Sequence, residues 1–385
     1  MEDSTPSNSP PWEPRGEPPD PAARPLPLAV RAAVIVLALF LTVGGASQML
    51  NPAFGIWFTE IFIFIGVPWV MLRASRYEPL GYTGLESPAL GPAALGFGLG
   101  VANFFAFVVP IQYIAQTLAP PWLREMFDGS RIFEGQNALE LGLMLAGVSL
   151  AAPVCEEFFF RGLFQKGVLS THLSRTSAVL ITAVVFSAFH FDPVGFAARV
   201  ELGVLFGALR LYTGSLWPGI LAHSANNVVS SVLFLTLRQM GAESSEERPP
   251  LVAILLLFTV GCFAMGGLIL LARRFPALWG PRQEPPTLTQ PPRPFPRLML
   301  PWLAAATLSL GLLVLADLRG IRLRLIELKY PLPKPSKTAP ERRQTEQTNL
   351  QQLREEVRSG RLPVEAYEEE RARQSQAHPA EPEKE

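Results

Sequence analysis

Residues 155–162 read CEEFFFRG, three formal charges and three phenylalanines set directly behind the apolar run LGLMLAGVSLAAPV at 141–154. Together they lie inside a stretch, 138–168, long enough to cross a bilayer as a helix. Charged groups at that depth cost about 2.5–3.5 kcal/mol each and are kept where they pair with one another or line a working cavity. The stretch therefore reads as a buried membrane helix, and it sets the reading of everything around it.

The same pattern of long apolar runs recurs on both sides. Hydropathy places spans at 28–49, 53–73, 88–113, 138–168, 176–191, 194–213, 216–237, 250–272 and 298–317. The expected fold is an all-α, polytopic transmembrane helix bundle of about eight or nine spans. A chain that is 49% hydrophobic and 17% charged with zero formal net charge suits the lipid bilayer as its surroundings and offers no electrostatic case for nucleic acid. Cys155 and Cys262 lie in apolar runs, as small buried side chains rather than a disulfide or CxxC site.

Outside the bundle, 28–275, the composition changes. Residues 1–27 are Pro-rich and acidic, with no apolar stretch and no small-residue cleavage site, and read as a disordered cytoplasmic tail. Residues 276–297 form a Pro/Arg-rich loop, 298–317 an additional span, and 318–385 a charged C-terminal tail. Within that tail, 341–374 is polar with spaced Leu, Val and Tyr and a break at Gly360 to Pro363, predicting two short helices. The segment PPWLREMFDGSRIFEGQN at 120–137 suits the membrane interface. Arginines and lysines gather where an inside N-terminus would put cytoplasmic ends, Arg73, Arg76, Lys166, Arg175, Arg210, Arg273 and Arg274 among them. Arg319, Arg322, Arg324 and Lys329 run against this rule for nine spans and agree with it for eight.

Within the fourth span, Glu157 and Arg161 are four residues apart and share a face, so they predict an ion pair. Glu156 is turned by about 100° and is left free. Pro153 removes a backbone hydrogen bond just before it, a break tolerated where backbone lines a cavity. His190 ends the fifth span with Phe186 on its face, and His223 and Asn227 stack one turn apart in the seventh. Glu156, His190, His223 and Asn227 can meet in one bundle if the fifth span ends inside the membrane or tilts. A glutamate and a histidine orienting a water, with a second histidine and an amide for the oxyanion, would hydrolyse an amide without a covalent intermediate. Glu156, His190 and His223 would equally serve as a zinc set with a position left for water.

EEFFFR (156–161), FSAFH (186–190) and HSANN (223–227) fit the patterns EExxxR, FxxxH and HxxxN, in this order within membrane spans. The chain thereby resembles the CPBP family of intramembrane proteases, also called the CAAX prenyl endopeptidase or Abi family, over about residues 90–240. No motif position departs from the pattern. The resemblance implies an endopeptidase in which Glu156 and His190 activate water, His223 and Asn227 stabilise the oxyanion, and Glu157, Arg161 and Phe186 support them. It implies a membrane-associated or lipidated peptide or protein as substrate. Family members are described both as metalloproteases and as metal-independent glutamic proteases. The asparagine of HxxxN, where a strong zinc site would use imidazole or carboxylate, favours the mechanism with no cofactor, with a divalent metal such as zinc as the alternative. Residues 341–374 resemble the short C-terminal helical hairpin SHOCT of bacterial proteins, which points to a bacterial inner membrane. A proton-coupled transporter, or an immunity or binding protein, would also bury Glu and His, but no paired halves are visible. Glu60, Arg199 and Glu201 read as structural pairs.

Overall fold

The computed structural model describes residues 23–86, 90–127, 138–239, 249–279, 295–332 and 341–377. The Pro-rich segment before residue 23, most of the 276–297 loop, residues 128–137 of the interfacial segment and His378 lie outside them. Among the described residues the chain is an all-helical bundle. Its helices are α1 (Pro25–Leu50), α2 (Pro52–Ala74), α3 (Leu90–Leu118), α4 (Ala138–Leu169), α5 (Arg175–Ala188), α6 (Phe196–Thr213), α7 (Trp217–Gln239), α8 (Leu251–Arg274) and α9 (Phe295–Ala316). A polar extension follows as α10 (Leu318–Lys329), α11 (Glu341–Arg358) and α12 (Val364–Ala377).

Local signals set these boundaries. Pro52 opens α2 behind Asn51, whose side chain accepts from the Phe54 amide at 3.0 Å. Ser174 caps α5 by accepting from Ser177 N at 3.0 Å, and Gly214, at φ 71°, ends α6. Among the described residues seven helices are long and apolar enough to cross a bilayer, namely α1 to α4 and α7 to α9. Helix α5 is shorter. Its 14 residues rise about 21 Å against a hydrocarbon core of about 30 Å, so it is too short to cross a bilayer on its own. The sequence expectation of a span over 176–191 is corrected accordingly, and His190 sits in the turn beyond the helix.

The bundle core is aromatic around α4. Phe159 and Phe160 pack against each other and against Phe64 and Phe189, and Phe160 also meets Phe186 edge-on at 5.2 Å. Against this centre α3 brings Gly96 and Gly100, four residues apart, onto α7. A Cβ at either would overlap the backbone of Pro218 or Ala222, so only glycine allows the approach. That approach holds α7, and His223 with it, in place.

Helices α10 to α12 bury Leu323, Ile326, Leu350, Val357 and Tyr367 in a small core of their own. They lean on the end of the bundle where α1 turns into α2 and where α4 begins. Asn51 Nδ2 donates to Asp317 Oδ2 at 3.0 Å, and Arg358 pairs with Glu140 in the first turn of α4. This face is opposite the one where α1 starts and packs beside Gln165–Leu169 at the end of α4. Counting α5 and α6 as a rise and a return, α1 to α9 make nine passes in alternating directions, which delivers the extension to that far face.

Candidate active site

Helix α4 departs from regular α geometry twice, with wide π turns at Gly147–Ala151 and Phe158–Phe164. Pro153 lies between them, at the second position of Ala152–Glu157. A proline ring clashes with the carbonyl one turn back in a regular helix, and the wide turn before it relieves that clash while freeing backbone acceptors. The Val148 carbonyl accepts from Asn227 Nδ2 of α7 at 2.8 Å. Thus the break that Pro153 demands on α4 fixes the amide side chain on α7.

The predicted ion pair is present and fully sealed. Arg161 Nη1 donates to Glu157 Oε1 at 2.8 Å with both side chains at 0% exposure. Its Nη2 donates to the Gly203 carbonyl at 3.2 Å, and its guanidinium lies 4.4 Å from the Phe186 ring centre and 5.2 Å from that of Phe206. His223 Nδ1 approaches the same Glu157 Oε1 at 3.3 Å, and the imidazole stacks on Phe206 at 4.8 Å. Its other nitrogen, Nε2, faces Glu156 Oε2 at 3.9 Å. That oxygen is buried and has no hydrogen-bond partner, while the Glu156 side chain as a whole keeps 12% exposure. Glu157 is committed and inaccessible. Glu156 is uncommitted and reachable.

His190 is exposed and shares Phe186 with the buried cluster. Its Nδ1 lies 2.9 Å from the Phe186 carbonyl, and its ring meets the Phe186 ring at 5.0 Å, with His223 on that ring at 5.8 Å. A carbonyl only accepts, so Nδ1 carries the proton and Nε2 is left with its lone pair. Asn226, on α7 beside Asn227, donates to Asn227 Oδ1 at 3.0 Å.

Residues 138–229 match the family model of type II CAAX prenyl endopeptidase Rce1-like proteins. The match starts at the first residue of α4 and runs just past Asn227, so this Rce1-like stretch holds Glu156, His190, His223 and Asn227 together, and it supports the CPBP resemblance of their motifs. No curated protein and no solved structure matches the chain.

Within the Rce1-like stretch two residues stand out that the motifs do not contain. Arg199 was expected to pair with Glu201, but it pairs with Asp192 at 2.6 Å and also donates to the Asp192 carbonyl at 2.9 Å. Asp192 accepts from the amides of Val194 and Gly195, at 2.9 and 3.1 Å. The two residues thus brace the turn that carries His190, where Phe191 takes a left-handed backbone at φ 51°. Glu201 instead accepts from Asn103 of α3 at 2.9 Å. The signal in the sequence was Asp192 three residues before Gly195, a turn-forming spacing. Outside the stretch, Glu60 lies in the π turn Thr59–Ile65 of α2, 4% exposed, with Oε2 unpartnered and the Glu156 charge within reach. As to a metal, no three His, Cys, Asp or Glu side chains among the described residues are placed to hold one, so no step is derived through a metal.

Proposed function

We propose that the chain is an intramembrane endopeptidase of the CPBP type that hydrolyses a peptide bond in a membrane-associated or lipidated substrate. The observation that carries this is the state of Glu156, a reachable carboxylate whose buried Oε2 has no hydrogen-bond partner and faces His223, beside Glu157, which is sealed from solvent and held by Arg161. Buried polar groups are ordinarily hydrogen-bonded, and an intramembrane ionisable residue without a partner marks a reaction centre.

In this reading Glu156 and His190 Nε2 take up the proton of an attacking water. His223 sits between the two carboxylates with Nε2 turned toward the position of the developing oxyanion, which it stabilises together with the second amide hydrogen of Asn227. The 3.9 Å between His223 and Glu156 exceeds a hydrogen bond and leaves room for the reacting oxygen. Glu157 and Arg161 set the position and tilt of His223 without touching substrate. Proton balance is local: the proton taken from water returns to the leaving amine.

The test compares new protein termini in membranes of cells carrying wild type or Glu156→Gln, then repeats the cleavage with purified protein in excess chelator. A terminus produced by wild type alone supports the protease, and its persistence in chelator supports the metal-free form. Equal termini in both strains would remove Glu156 from the chemistry.

A further inference from the structure

Glu60 is a buried acid that the chemistry above leaves unused, and it lies outside the Rce1-like stretch. Helix α2 runs alongside α4, and two contacts fix their register. Trp57 Nε1 donates to the Leu143 carbonyl at 2.9 Å, and the Phe64 ring packs on those of Phe159 and Phe160 at 5.7 and 6.0 Å. Glu60 falls between Trp57 and Phe64, and the π turn Thr59–Ile65 that carries it packs directly on Ala152–Glu157. The Glu156 charge acts on Glu60, and Cys155, next to Glu156, feels both carboxylates.

The two acids lack a cation to share. Glu60 is 4% exposed, and its Oε2, like that of Glu156, has no hydrogen-bond partner. Arg161 is taken by Glu157 and Arg199 by Asp192. The ionisable groups that come to Glu60 from α4 are Cys155, Glu156 and Glu157 with its Arg161. Helix α1 has none from residue 32 to 50. Helix α9, which reaches the same π turn where Trp302 Nε1 donates to the Phe62 carbonyl at 3.0 Å, has none from 298 to 316. Two carboxyls so placed in a dry site do not both ionise. His223 Nε2 faces Glu156, and the Glu156 side chain keeps some exposure, so the negative charge settles there and the proton on Glu60.

We propose that Glu60 and Glu156 form a coupled carboxyl pair, in which Glu60 keeps its proton and so leaves Glu156 as the one anionic base of the site. Glu60 is a positioning residue, acting through Glu156 without touching substrate. Its proton is not consumed, because the proton of the attacking water goes to Glu156 and on to the leaving amine. At high pH Glu60 ionises, a second negative charge then opposes the developing oxyanion, and cleavage falls. The catalytic consequence rests on the proteolytic reading of Glu156, whereas the pairing does not.

Infrared difference spectroscopy of the full-length protein reads the pair without any substrate. Wild type at neutral pH should show the carbonyl stretch of a protonated carboxylic acid that Glu60→Gln lacks. In Glu156→Gln the same band should disappear about one pH unit or more earlier as pH rises, because the neighbouring charge that held the proton is gone. Identical spectra for wild type and Glu60→Gln overturn the proposal, and so does a band that responds to pH alike with and without the Glu156 carboxylate. In the cleavage assay Glu60→Gln, which cannot ionise, should move the alkaline fall of kcat upward by about one pH unit or more, and Glu60→Asp should bring it back. An unmoved alkaline limb, or an acid limb that drops instead, overturns the catalytic consequence. If no substrate is cleaved by wild type, the protease reading fails and the spectra still decide the pair.

Discussion

Glu157 and His223 meet at 3.3 Å, from Oε1 to Nδ1, across two helices that are 66 residues apart in sequence. The same oxygen is held by Arg161 at 2.8 Å, so one carboxylate joins the charge that stabilises the bundle to the imidazole that faces Glu156. Removing Arg161 would leave that carboxylate buried without its cation. Arg161→Met is expected to destabilise the protein by about 3–5 kcal/mol, and adding Glu157→Gln to recover part of the loss. Thermal unfolding in detergent measures both, and an unshifted midpoint for Arg161→Met would count against the pair as a support.

Asn227 spends one amide hydrogen on Val148, and the proposed mechanism gives the other to the oxyanion. Asn227→Ala should therefore lower kcat by about 10²–10³ with little change in KM, and reduce stability by only about 1 kcal/mol. A kcat within twofold of wild type would remove the oxyanion role.

Arg199 acts on His190 through the turn it braces. Arg199→Lys keeps the charge but cannot reach both the carboxylate and the carbonyl of Asp192. Cleavage should fall roughly ten- to a hundredfold, with stability changed by less than about 1 kcal/mol because the pair is partly exposed. If activity and stability fell together, the turn would be a folding element rather than a positioning one.

The small helical extension should respond to acid. Burial pushes the Glu327 carboxyl up, but Arg354, through charge and a 2.7 Å hydrogen bond, together with Arg324 and Arg371, holds it below the usual range. A depressed carboxylate stabilises the folded form above its unfolded pKa of about 4.3 and loses that contribution as pH falls through the folded value. Tyr367, raised to about 12 by its burial and by the Glu327 charge, stays protonated and donates to Glu327 at 3.2 Å throughout. Spin labels on the outer faces of α11 and α12 should report loosening only below about pH 4, and Glu327→Gln should flatten the profile.

The ion pair and the free glutamate facing His223 were legible because helical spacing and the cost of burying charge act locally along the sequence. Helix length along α5 was less so. Hydropathy continues through Phe189, but the chain breaks at Ala188 because His190 N bonds back to Ser187 and Phe191 turns left-handed, contacts that depend on what packs around Phe186. The nearness of Glu60 to Glu156 was hidden for a similar reason, since it joins parts of the chain whose meeting is set by packing and a single sequence carries no spacing rule for it. The Asp192–Arg199 brace had only the turn-forming spacing of Asp192 and Gly195 to announce it. The π turns of α4 were foreshadowed only by Pro153.

The clamp between Arg358 and Glu140 spans 218 residues of sequence. During synthesis the first turn of α4 is made long before its clamp exists, and the clamp forms only once the charged hairpin that follows α9 has docked on the same end of the bundle. Contacts of such separation form late. The helix that bears Glu156 would then receive its last restraint as the final act of assembly, so a hairpin that failed to dock would leave a complete bundle whose key helix is unfinished at one end.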